Sequence, residues 1–275
     1  MMSQDTAQTI GGPIGRILAM PNDSQTKTIV VALALCLVCS IIVAAAAVGL
    51  RPLQEANKAL DKQRYILSVA GLDISGNIQA TFDQSIETRL VDLASGDYVE
   101  EMDAAGYDQR KAAKDPQQNL TLSSDVDIAS IKARAKIASI YLVKNGDTIT
   151  RVILPVHGYG LWSTLYGFLA IEPDGNSVYG LKFYDHAETP GLGSEVDNPK
   201  WQAKWNGKQL FDANGKQALN VLKGNVSPDS KFFQHEIDGL AGATLTSRGV
   251  SNLVRFWTGA NGFGPYLTKF KNGGA

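Results

Sequence analysis

Three hydroxyl side chains, Thr244, Thr246 and Ser247, crowd the segment LAGATLTSRGVSNLVRFW, residues 240 to 257. They follow the small-residue run Ala241-Gly242-Ala243 and precede an amphipathic stretch. Val250, Leu253, Val254 and Trp257 recur at i, i+3, i+4 and i+7, the stripe of a helix packed on a sheet. The hydroxyls therefore stand at the mouth of a helix. Free backbone N–H groups and the positive end of the helix dipole suit a phosphate there. Gly242 and the two alanines let a large ligand approach the backbone closely. A hydroxyl in that place can hydrogen-bond a phosphate oxygen or, given an enzyme to make the bond, be esterified to one. The same residues also suit an ordinary helix start, with Thr246 or Ser247 as the N-cap. The residue pattern alone leaves both readings open.

A second cluster is DHAETPGLGSEV, residues 185 to 196. Asp185, His186 and Glu188 stand before a turn built on Gly191 and Gly193. Such side chains hold metals or act as general bases. No third ligand follows at a recognisable spacing, so no metal is expected. A loop that passes close under a flat ligand suits the glycines better. A third cluster is HGYGLWSTLYGF, residues 157 to 168, where Gly158 and Gly160 flank Tyr159 and Leu161 and Trp162 follow. It reads as a tight turn between strands, or as a loop on which an aromatic ligand lies. His157, His186 and His235 are the only histidines. There is no Ser–His–Asp pattern and no P-loop, and no side chain is assigned a catalytic role.

The elements that position these clusters can be read along the chain. IVVALALCLVCSIIVAAAAVGL, residues 29 to 50, is uncharged and long enough to cross a bilayer, which takes about 20 apolar residues. It is too long, and starts too late, for a cleaved signal peptide. Residues 1–28 then form an N-terminal arm. Arg16 and Lys27 precede the span and Arg51, Lys58, Lys62 and Arg64 follow it. The bare count would put the large domain in the cytoplasm, but long domains translocate largely regardless of charge, so the flanks do not settle its direction. Cys36 and Cys39, the only cysteines, lie in the span one helical turn apart, the place of small apolar residues at a helix–helix contact.

Residues 51–130 read as a stalk helix followed by a helical and loop-rich region. Within it, NIQATFDQSIETRLVDLASG is expected to be a helix ending near Gly96. Two hairpins follow, turning at Asn145-Gly146-Asp147 and at Pro173-Asp174-Gly175-Asn176. A Trp-containing helical piece is expected over residues 199–206 and a short strand at LNVLKG. Residues 131–264 make the main domain, and residues 265–275 are left as a C-terminal tail. The fold class is α+β, an antiparallel sheet with packed helices preceded by a single N-terminal transmembrane helix. With 26 basic and 27 acidic residues in 275, the chain has no basic excess and no nucleic-acid partner is expected.

The combination of one N-terminal span with HGYGLW, HAETPGLG and GATLTS resembles the FMN-binding domain family, and within it the C-subunit family of sodium-translocating NADH:quinone oxidoreductases. The likeness runs from the span to Gly264. It implies FMN joined by a phosphoester to the last hydroxyl residue of [ST]-G-A-T-x-[ST], here Thr246, by a dedicated flavin transferase. Gly242, Ala243, Thr244 and Leu245 fit that pattern, and Asp238 matches the acidic position that opens it. Ala241 departs from it, standing where the family has Ser or Thr. Gly160, Leu161, Trp162, Glu188, Thr189, Leu192 and Gly193 are the expected surroundings of the flavin. The resemblance further implies a role in relaying electrons toward ubiquinone. It implies neighbouring subunits and a lipid bilayer as partners, a cytoplasmic N-terminal arm, and a soluble domain on the periplasmic side of a bacterial inner membrane. Two other readings keep the same residues: the G-subunit of the related Rnf electron-transport complex, and a tethered binding module with no redox role.

Overall fold

The computed structural model describes Gly15, Ile17 and residues 19–273. Arg16 and most of the expected N-terminal arm lie outside the described residues. The chain divides into two compact units, Met1–Ala59 and Leu60–Ala275.

Helix α1 (Gln25–Val69) makes up most of the described part of the first unit and ends within the second; it carries the whole apolar run of residues 29–50. Leu33, Leu37, Ile41 and Val48 are all exposed, so this stretch has no protein core of its own. Among the described residues, α1 is the helix long and apolar enough to cross a membrane. Cys36 and Cys39 are free and exposed on it. The helix continues through Pro52, whose ring removes one backbone hydrogen bond without ending it.

In the second unit, α2 (Ile78–Ser85) starts on an Asn77 cap whose side chain accepts the Ala80 N–H. It leads directly into β1 (Ile86–Asp92). The expected single helix over this stretch is therefore wrong in its second half. From Ile86 onward the chain finds a partner strand about fifty residues away, and that pairing overrides the helical pattern. After it come α3 (Gln109–Ala112) and a small pair, β2 (Asn119–Thr121) with β3 (Ala133–Ala135).

The two hairpins form as expected. The first joins β4 (Ile137–Asn145) to β5 (Thr148–Tyr159), with Gly146 at φ +61°. The second joins β6 (Thr164–Ile171) to β7 (Val178–Asp185), with Gly175 at φ +67°. These strands and β1 make one five-stranded sheet in the order β1-β4-β5-β6-β7, antiparallel throughout.

Next come α4 (Pro199–Gln202), continued by a 3-10 turn to Trp205, and β8 (Asn220–Val221), which pairs in parallel with β9 (Glu236–Ile237). Helix α5 (Thr244–Thr258) carries the hydroxyl cluster. Helix α6 (Gly264–Lys271) occupies most of the segment expected to be a tail, and it buries Tyr266, Leu267 and Phe270.

Both faces of the sheet are covered. Ile140, Leu142, Leu154, Val156 and Leu169 face the α5 side, where Val250, Leu253, Val254 and Trp257 complete the larger core. Tyr141, Val143, Ile153, Phe168 and Ala170 alternate with them and meet Ile66, Leu67, Val69 and Ala70 on the opposite face. Each fully buried Leu or Phe contributes roughly 1.5–3 kcal/mol, enough to fix the register of β4 to β6.

Candidate functional site

The hydroxyl cluster begins a helix, but no hydroxyl caps it. The N-cap is Ala243, which makes no side-chain capping bond, and the helix starts at Thr244. Gly242, at φ +71°, turns the chain into the helix, so the cap falls at Ala243, three or four residues earlier than the residue pattern suggests. Thr246 and Ser247 thus lie inside the first turn, and their expected capping role is wrong. Ser247 instead clasps the turn from within. Its hydroxyl accepts the Leu240 N–H at 2.9 Å and donates to the Ala243 carbonyl at 3.1 Å.

Thr246 points into the domain and is fully buried. Its hydroxyl donates to Oε2 of Glu188 at 2.6 Å. The other carboxylate oxygen, Oε1, accepts the N–H groups of Leu161 (3.0 Å), Trp162 (2.9 Å) and Ser163 (3.3 Å). One carboxylate therefore joins the β5–β6 turn, the loop after β7 and the start of α5. Burial acts to raise the Glu188 pKa. The Thr246 hydroxyl and the three N–H groups outweigh it and hold the carboxyl below its usual range.

Glycines make the junction possible. A Cβ on Gly193 would stand 2.6 Å from Glu188 Oε2 and 2.7 Å from Thr246 Oγ1, and one on Gly160 would stand 2.6 Å from Glu188 Oε1. One turn along α5, a Cβ on Gly249 would come within 2.4 Å of the Tyr159 carbonyl. Because Thr246 and Gly249 share a helix face, that contact aims the Thr246 hydroxyl at the loops. Gly158 serves packing rather than a ligand, since its Cα side abuts Leu253 of α5.

Exposed apolar side chains surround the junction. Trp162 is 66% exposed, and Tyr159, Leu161, Leu192 and Leu245 are also exposed. Leu192 reaches over Gly242, where an added Cβ would meet its Cδ2 at 2.8 Å. Thr189 is exposed, and its carbonyl accepts the Leu192 and Ser194 N–H groups, both at 3.1 Å, which closes the glycine loop on itself. Thr244 instead lines a cavity of about 360 Å³ with Lys223, Arg248 and Arg255, a cavity that does not include Thr246.

The remaining polar candidates go to separate partners. Asp185 accepts both terminal N–H groups of Arg110 at 3.1 Å. His186 Nε2 meets Asp197 at 2.8 Å while its Nδ1 accepts the Glu188 N–H at 3.2 Å. His235 Nδ1 donates to the Gln209 carbonyl at 2.9 Å. Asp238 accepts the Val226 N–H at 2.6 Å and pairs with Lys204, organising the approach to the hydroxyl turn. Ala241 is exposed on that turn. Sequence reasoning missed Ser163, whose hydroxyl accepts the Ala187 N–H at 2.7 Å and ties the two loops together. The only signal for it was its place directly after Trp162.

Residues 160–259, the span from Gly160 to the end of α5, match the FMN-binding domain family. Over 254 residues the chain is 55% identical to the C-subunit of the Na(+)-translocating NADH-quinone reductase of Vibrio vulnificus, covering 92% of this chain and 98% of that one. The chain belongs to the NqrC family, the C-subunits of Na(+)-translocating NADH-quinone reductases. It is 52% identical over 257 residues to the family member from Pseudomonas aeruginosa, again covering 92% of this chain and 98% of the other. The fold agrees with the crystal structure of Shewanella oneidensis NqrC, at 36% identity and a TM-score of 0.73, covering 79% of this chain and 99% of that one. The chain is thus an FMN-binding subunit of the NqrC type, part of an oxidoreductase complex.

The residues present fit an FMN. A flat ring needs an apolar border, which Leu161, Trp162, Leu192 and Leu245 supply. A phosphate needs close backbone and a hydroxyl, which Gly242, Gly193 and Thr246 would supply once the Thr246 hydroxyl is uncovered.

Proposed function

We propose that this chain is an electron-relay subunit of a sodium-pumping NADH:quinone reductase, with FMN joined to Thr246 through a phosphoester. The observation that carries the reading is the Thr246 hydroxyl held at 2.6 Å on Glu188, at the meeting point of three backbone segments and beneath exposed apolar side chains. When bound, the FMN supplies reversible electron transfer, and the protein sets its position and its access to water. Thr246 holds the phosphate end. Gly242, Ala243, Thr244 and Leu245 form the turn that receives it. Gly160, Leu161, Trp162, Thr189, Leu192 and Gly193 border the ring, and Glu188 fixes the loop that presents Leu161 and Trp162.

Thr246 is fully buried, so a flavin transferase reaches it only after the 189–194 loop lifts. That loop is held largely by its own hydrogen bonds. The exposed apolar stretch of α1 supports anchoring in a lipid bilayer. We place the second unit on the periplasmic side of a bacterial inner membrane, where a covalent tether keeps the cofactor from diffusing away. Electrons leave toward ubiquinone through neighbouring subunits.

The test is in-gel flavin fluorescence of the denatured chain, matured with its transferase. Thr246→Ala loses the fluorescent band and Thr244→Ala keeps it. A band of full strength in Thr246→Ala overturns the assignment, and its loss only in Thr244→Ala moves the linkage to the cavity side of α5.

A further inference from the structure

We infer that Glu188 is the base that removes the hydroxyl proton of Thr246 when the flavin is attached, so that this chain supplies part of the chemistry of its own maturation. The inference rests on the Thr246 assignment proposed above.

The geometry separates the two oxygens of one carboxylate. Oε1 is occupied by the N–H groups of Leu161, Trp162 and Ser163. These donors hold the group in place and leave Oε2 aimed at Thr246 Oγ1, 2.6 Å away. The hydroxyl is already donating along the line its proton must travel. The other carboxylates of the 185–197 segment are engaged elsewhere: Asp185 with Arg110, Glu195 with Asn198 and Asp197 with His186. The Thr246 hydroxyl has no other hydrogen-bond partner among the described residues. Nothing in electron relay needs this contact, because the ester has no hydroxyl proton to give. The hydrogen bond belongs to the unloaded chain.

The step balances as a phosphoryl transfer. An alcohol does not displace hydroxide from a phosphate monoester, so the donor must carry a better leaving group. A flavin nucleotide joined to a second nucleotide through a phosphoanhydride is such a donor. Thr246 Oγ1 forms a bond to the flavin-side phosphorus, and the phosphoanhydride P–O bond breaks. The electron pair leaves with the departing nucleoside monophosphate. The hydroxyl proton passes to Glu188 Oε2 and then to solvent, and nothing is oxidised or reduced. A carboxylate is a weak base for an alcohol, but in phosphoryl transfer the nucleophile loses its proton as the bond to phosphorus forms. After transfer, the Thr246 oxygen is an ester acceptor facing a carboxylate. The contact that primed the reaction then becomes repulsive and disfavours return of the lifted loop onto the new phosphate.

The test follows the mass of the intact full-length chain over time with the transferase and the flavin dinucleotide as donor. Wild type, Glu188→Gln, Glu188→Asp and Thr246→Ala are compared across a pH series. Glu188→Gln is expected to gain the flavin mass about a hundredfold or more slowly, the scale of a lost general base. Glu188→Asp is expected to recover part of that rate. The wild-type rate should fall on the acid side as the carboxylate protonates, and that limb should vanish in Glu188→Gln. A Glu188→Gln rate equal to wild type overturns the role of Glu188 while leaving the Thr246 linkage standing. A slow Glu188→Gln rate that keeps the wild-type acid limb also overturns it, since a purely structural role leaves the pH profile unmoved. If wild type and Thr246→Ala gain mass alike, the linkage itself fails. Should Glu188→Gln not fold, the rate and acid limb of Glu188→Asp decide the matter: a wild-type rate despite the withdrawn carboxylate contradicts the inference.

Discussion

Thr246 and Glu188, 58 residues apart, share one hydrogen bond of 2.6 Å that only a glycine at position 193 leaves room for. Gly193→Ala would put a methyl within 2.7 Å of both oxygens. The expected outcome is a loss of about 1–3 kcal/mol from overpacking, with slower flavin attachment because the hydroxyl is pushed off the carboxylate. Thermal unfolding and intact mass measure the two effects side by side.

Gly249→Ala should reverse the usual helix trend. Alanine normally stabilises a helix interior by up to about 1 kcal/mol over glycine. Here the new methyl would meet the Tyr159 carbonyl at 2.4 Å, and a backbone atom cannot rotate out of the way. A net destabilisation of about 1–3 kcal/mol is expected from denaturant midpoints. Stabilisation would mean that α5 and the end of β5 are not in this contact.

His157 makes the fold acid-sensitive. Its ring lies between Tyr166 and Trp257, at centroid distances of 5.3 Å and 4.9 Å. Burial, with a smaller effect of the Arg110 charge, lowers its pKa from 6.5 to about 4. The unfolded chain therefore binds a proton more readily than the folded one between these values. Stability contributed by neutral His157 is full above about pH 6.5 and declines as the pH falls toward 4, by something on the order of 2–3 kcal/mol. Unfolding midpoints at pH 7 and pH 5 should differ less in His157→Gln than in wild type.

Much of this architecture is legible in the amino-acid sequence, for local reasons. Asn145-Gly146-Asp147 and Pro173-Asp174-Gly175-Asn176 carry their own turn chemistry, and Val250, Leu253, Val254 and Trp257 carry their own helical period. What is missed depends on distant partners. Ile86–Asp92 becomes a strand only because Ile137–Val143 lies beside it. The end of α1 covers a sheet face that nothing in its own pattern announces. The resemblance marked Glu188 as an expected neighbour of the flavin, but its link to Thr246 and to three N–H groups exists only once three segments meet. Gly158 misled for the converse reason: beside Tyr159 it resembles a ligand loop, yet its missing side chain makes room for Leu253.

The exposed apolar border is expected to act on the ring and not on the bond. Trp162→Ala and Leu192→Ala should leave covalent labelling intact while changing the visible spectrum and raising flavin fluorescence, because a water-shielding aromatic or aliphatic side chain is gone. Spectra on loaded protein unchanged from wild type in both variants would place the ring elsewhere.

The proposed flavin linkage is a bond at one atom, Thr246 Oγ1. Tryptic cleavage after Lys231 and Arg248 releases the peptide Phe232–Arg248, which contains Thr244, Thr246 and Ser247 together. Fragmentation of that peptide from natively matured protein measures where the flavin sits. The mass of FMN less one water is expected on Thr246; an unmodified peptide, or the same mass on Thr244 or Ser247, would contradict the linkage.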